Sequence, residues 1–136
     1  MTVKKNKEES MTKVCFLVSS LCNEGPVNVM YNIIQYMDFS KFKVSIITFI
    51  PEKKTTRIKD FQKYPLSIHQ LAPETPLNPF ALFTALKQEV KLINPDMLHA
   101  HCPRSLYLMC FLPRKYKRIY TCLLYTSPSP RDLSTS

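Results

Sequence analysis

Two short stretches carry residue types able to handle a ligand. His99-Ala100-His101 sets two imidazoles two positions apart, so on a strand both share one face. Cys102 follows, and the trio invites a metal reading, but a metal needs three or four convergent ligands. The only other histidine, His69, belongs to a separate short apolar segment, so the reading is no metal and no cofactor. A polar His101 at a strand end suits hydrogen bonding to a sugar or a phosphate better. His99 reads equally as a packed strand residue.

The second stretch is Asn23-Glu24-Gly25-Pro26, between an apolar run and an amphipathic one. A glycine there lets a ligand approach the backbone, and the helix that follows offers its first N–H groups to an anion. An ordinary tight turn would use the same residues. A third feature, Arg114-Lys115-Tyr116-Lys117-Arg118, reads as a solvated helix end or as a patch for anionic lipid head groups. No Ser/His/Asp or Cys/His triad can be assembled, and no paired carboxylates fall at strand ends.

These residues need a frame, and hydrophobic periodicity supplies one. Lys13–Ser20 and Lys43–Ile50 are short β-branched runs typical of strands buried on both faces. Leu66–Leu71, Asp96–His101 and Arg118–Thr121 extend the series to about five strands. Between the first two, Val27, Met30, Ile33, Ile34 and Met37 recur at helical spacing, with Pro26 as the expected first helical residue. Lys53–Lys63 holds a short charged helix. After the Pro-rich loop Ala72–Pro79, Asn78 and Pro79 open a helix striped by Leu82, Phe83, Leu86, Val90 and Ile93. Pro103–Leu112 makes the last. Strands alternating with helices predict an α/β, Rossmann-like, doubly wound and mainly parallel sheet. Ligands of such sheets sit beyond the carboxyl ends of the strands, where both stretches fall.

Composition narrows the function further. One glycine in 136 residues leaves no room for G-x-G-x-x-G or a P-loop. The net charge of +9 suits nucleic acid, anionic lipid, phosphorylated substrates or simply a solvated surface. Five cysteines without a C-x-x-C pair suggest free thiols in a reducing, cytoplasmic compartment. Lys4, Lys5 and Lys7 precede the run Val14–Cys22, but Ser19 and Ser20 break it and no cleavage site follows, so it reads as a strand. Residues 1–12 read as a disordered extension, with Met11 a second candidate start.

KVCFLVSSL, NEGPVNVMYNIIQYMD, FKVSIITF and the later NPDMLHAHCPRSLYL resemble, in order and spacing, the opening of family-four glycosyltransferases. The resemblance spans residues 13–121 and implies a partial N-terminal domain of a GT-B enzyme, two Rossmann-like domains facing across a cleft. It implies a retaining, generally metal-free transfer from a nucleotide sugar to a glycan or lipid-linked acceptor. Gly25 and Pro26 would lie near the donor phosphates, His101 would act at the reaction centre, and Arg104 in the same motif joins the substrate-binding set. Many relatives have glycine where Pro26 and Cys102 stand, which blurs the acceptor contacts. The second domain and its glutamate pair are expected to be missing, leaving the chain inactive alone. Residues 122–136 (CLLYTSPSPRDLSTS) resemble translated sequencing-adapter DNA. The family also implies bacterial surface-polysaccharide or glycolipid assembly at the inner membrane face.

Two other classes compete. A small flavodoxin-like signalling module would want acidic residues after the first strand, where Ser19-Ser20 stand. A basic nucleic-acid binder would interleave aromatics with Lys and Arg, as only the stretch around Tyr116 does; the reading is no nucleic acid.

Overall fold

The computed structural model describes residues 11–71 and 79–121. Expectations for residues 1–10, for the Pro-rich stretch 72–78 with Asn78, and for the tail from Cys122 lie outside the described residues.

Nine elements follow one another among the described residues. They are β1 (Thr12–Val18), α1 (Gly25–Gln35), β2 (Phe42–Thr48), α2 (Ile58–Phe61), β3 (Leu66–Gln70), α3 (Pro79–Ile93), β4 (Met97–Ala100), α4 (Pro103–Cys110) and β5 (Lys117–Tyr120). The five strands form one sheet in the order β3-β2-β1-β4-β5, and every neighbouring pair is parallel. The expected α/β, Rossmann-like architecture is therefore what the chain adopts. The flavodoxin alternative requires β1 between β2 and β3. Here β1 lies between β2 and β4, so that strand order is not met.

Alternation along β1 divides the core in two. Val14, Phe16 and Val18 point to one face with Val44 and Ile46, where Val27, Met30 and Ile34 of α1 and Phe61 of α2 cover them. Cys15 and Leu17 point to the other, with Ile47, Leu98 and Ala100, under Leu86 and Val90 of α3 and Met109 of α4. β1 and β2 are buried on both faces, which is why they read as continuous apolar runs.

Several boundaries move by one to three residues. β1 stops at Val18 because the carbonyl of Ser19 accepts the N–H groups of Phe49 (2.9 Å) and Ile50 (3.0 Å) in place of a continued ladder. α1 begins at Gly25, with Pro26 second rather than first. Gly25 has no positive φ, so what glycine contributes there is the missing side chain. Among the described residues, the one that does take the left-handed region is Asn94 (φ 51°), immediately after α3, with its N–H on Val90 O at 2.7 Å.

Candidate functional site

The strand order reverses between β1 and β4: β1 leads outward through β2 to β3, and the chain then returns to lay β4 on the other side of β1. At such a switch point the loops leaving the two strands diverge and open a crevice at their carboxyl ends. The β1–α1 turn and the β4–α4 turn form this edge. Leu17 pairs with Ala100, and the next N–H, of His101, donates to Leu17 O at 3.0 Å. One step further, Ser19 Oγ and Cys102 Sγ lie 3.3 Å apart, and Cys102 Sγ reaches Ser105 Oγ at 3.0 Å. Ser20 and Ser105 are buried beside them.

The His pair shares one face of β4, as the spacing predicts. The two rings stack with centroids 4.2 Å apart, and Phe16 packs against both at 5.3 and 5.5 Å. Their environments differ. His99 Nε2 meets Thr121 Oγ1 at 2.7 Å, so this residue has a structural partner at the end of β5. His101 is 1% exposed, and neither ring nitrogen has a hydrogen-bond partner among the described residues. The ring thus lies beneath the crevice rather than displayed in it. Burial pushes its pKa down to about 3, helped by the neighbouring His99, while burial alone lowers that of His99. At neutral pH both imidazoles are uncharged, and each offers one donor and one acceptor.

Gly25 and Pro26 are half-buried at the start of α1, and Arg104 is exposed at the second position of α4. The carboxyl edge of the sheet thus carries Gly25 and Pro26 at the start of α1, and His101 and Arg104 just before and within the start of α4. His69 is elsewhere. It sits on the edge strand β3, with Nδ1 2.7 Å from Glu89 and Nε2 3.3 Å from Ser67 Oγ. No group of three His, Cys, Asp or Glu residues gathers to hold a metal among the described residues.

One set of residues at this edge is invisible to pattern reading. The Glu52 carboxylate accepts the Leu21 N–H on both oxygens at 3.0 Å and the Thr56 hydroxyl at 2.7 Å. The Leu21 carbonyl accepts from Arg57 N–H at 2.6 Å, and Asn23 N–H donates to Thr55 O at 2.9 Å. Arg57 then reaches α1 itself, donating Nη1 to Asn28 Oδ1 at 2.6 Å and lying 4.3 Å over the Tyr31 ring. The β2–α2 loop therefore clamps the turn that carries Gly25. A lone acid in a charged loop gives no sequence signal of this, except that Leu21, without a ladder partner, needs an acceptor.

A cavity of about 430 Å3 opens at the opposite, amino-terminal edge of the sheet, between Thr12, Asn94, Asp96, Lys115 and Lys117. It is remote from both loops, and the topology favours the carboxyl edge as the ligand side. Tyr116, the aromatic on which a nucleic-acid face would depend, is buried in the α3–α4 core.

A family model described as glycosyl transferase 4-like matches residues 13–134, every element above apart from Thr12. None of the curated proteins matches the chain.

Proposed function

Because the chain belongs to the glycosyl transferase 4-like family, we propose that it is the acceptor-side domain of a retaining GT-B glycosyltransferase. In this reading a nucleotide-activated sugar is the donor and a glycan or lipid-linked molecule the acceptor. The observation that carries it is the meeting of the β1–α1 and β4–α4 turns at the switch point, with Ser19 against Cys102. A sugar phosphate in that crevice would have the Gly25 end of α1 on one side, Arg104 on the other and the buried His101 ring beneath it.

His101 has the electrostatics the role asks for. A neutral imidazole donates to or accepts from a hydroxyl without becoming a cation, and its depressed pKa keeps it neutral throughout the physiological range. Its two unpartnered nitrogens carry a desolvation cost of roughly 1–3 kcal/mol, which a functional role accounts for and a packing role does not. Arg104, exposed on the rim, suits a phosphate. The reading uses no metal and no cofactor. It places the enzyme in bacterial polysaccharide or glycolipid assembly, in the cytoplasm against the inner membrane face, held through its basic residues around Arg114. No helix among the described residues is long and apolar enough to cross a membrane.

The test is sugar transfer by the protein of the whole gene, assayed with a panel of nucleotide sugars and lipid-linked acceptors. His101→Ala should lower kcat roughly 100-fold or more with the fold retained. A folded His101→Ala enzyme with unchanged kcat would refute the assignment.

A further inference from the structure

Away from the crevice, the described residues expose large apolar side chains most densely along the seam between α3 and α4. Phe80 and Phe111 are 83% and 73% exposed. Together with Phe83 and Leu108 they border a hollow of about 370 Å3, and Phe83 meets Phe111 edge to face at 6.3 Å. Helical spacing sets Phe83, Lys87 and Lys91 in one row. Further along the same seam, Lys87 and Lys91 border a second hollow, of about 190 Å3, with Lys115 across from them. Among the described residues, no Asp or Glu borders either hollow. The one carboxylate of α3, Glu89, is turned to the sheet edge, where it pairs with His69.

An apolar stripe ending in lysines that meet no carboxylate among the described residues matches the chemistry of an anionic lipid: acyl chains for the aromatics, phosphates for the ammonium groups. We propose that the α3–α4 seam is the surface that seats this protein on an anionic lipid leaflet. Phe80 and Phe111 enter the acyl region, while Lys87, Lys91 and Lys115 meet the head groups. This rests on the membrane contact proposed above and assigns it a surface. Charge selects the occupant, because a second copy would bring cationic faces of two +9 chains together.

The chain has no tryptophan, so a single introduced one reports on its own site. Phe111→Trp is compared with Tyr36→Trp, an 84% exposed position just past α1 on the opposite face, using vesicles of mixed phosphatidylcholine and phosphatidylglycerol. Brominated acyl chains should quench Phe111→Trp and leave Tyr36→Trp unchanged. Phe111→Ser should weaken vesicle binding roughly tenfold, and Lys87→Ala with Lys91→Ala about 25-fold, at about fivefold per lysine. Pure phosphatidylcholine vesicles should bind poorly. Quenching of Tyr36→Trp instead of Phe111→Trp overturns the surface while leaving membrane contact intact. Absence of binding to anionic vesicles overturns both. Self-association that Phe111→Ser abolishes, without vesicle binding, gives the seam to a second copy and overturns the proposal.

Discussion

Ser19 Oγ and Cys102 Sγ stand 3.3 Å apart, although 83 residues separate them in the chain. Each lies just beyond the end of its strand, and the parallel pairing of β1 with β4 is what brings them together. The contact ties the turn leading to Gly25 to the turn leading to Arg104. A ligand on this edge would therefore meet two helix starts at once, rather than a single loop.

Glu52 holds one side of that arrangement, so Glu52→Gln tests how firmly the turn is fixed. An amide can accept on one oxygen only, leaving Leu21 N–H or the Thr56 hydroxyl with a poorer partner. We expect a loss of about 1–2 kcal/mol in urea unfolding, with amide exchange rising at Leu21 and Asn23. Unchanged stability and exchange would mean that the clamp adds nothing to the turn.

Acid should destabilise the fold through its histidines. In the unfolded chain a histidine titrates near 6.5, whereas buried His101 titrates at about 3 and His99 below its ordinary value. Above pH ~6.5 both states are neutral and stability is fully present. As pH falls from there towards 3, the unfolded state binds the extra protons and stability drains away. His101→Phe should flatten this part of the pH profile. Because it removes two unpartnered buried nitrogens, it should also match or exceed the parent in stability at pH 7, by up to about 1 kcal/mol. Such a variant would be well folded yet defective in transfer. An equally steep acid profile in His101→Phe would assign the effect to other groups.

Asn94 offers a separate check on the backbone. At φ 51° it closes α3 in the left-handed region, where Asn is tolerated and a β-branched residue is not. Asn94→Gly should change stability by less than about 0.5 kcal/mol, and Asn94→Val should cost about 1–2 kcal/mol by thermal or urea unfolding.

The strands were legible because β1 and β2 are buried on both faces, so Cys15–Val18 and Val44–Thr48 carry an uninterrupted burial signal. Their ends were not. Ser19, Phe49 and Ile50 fall within the stretches read as strands, but the Ser19 carbonyl accepts the Phe49 and Ile50 N–H groups in place of a ladder, a tertiary matter that composition does not encode. The His pair was legible as two residues on one face, since period two requires it. The depth of His101 was not, because it depends on Phe16 from a strand far away in sequence. Tyr116 misled for a related reason. Flanked by lysines it looks solvated, yet it packs under α3 and α4. Glu52 left no trace, since its partners Leu21 and Cys22 lie 30 or more residues away.

The claim on which everything turns is that one ligand engages both turns of the carboxyl edge. Backbone amide shifts of the labelled chain, recorded during titration with nucleotide sugars and free nucleoside diphosphates, read this directly. The account predicts that Ser19–Gly25 and His101–Arg104 shift together along a single binding curve. Shifts confined to one of these turns, or gathered instead around Asn94–Met97 and Lys115–Lys117, would contradict it.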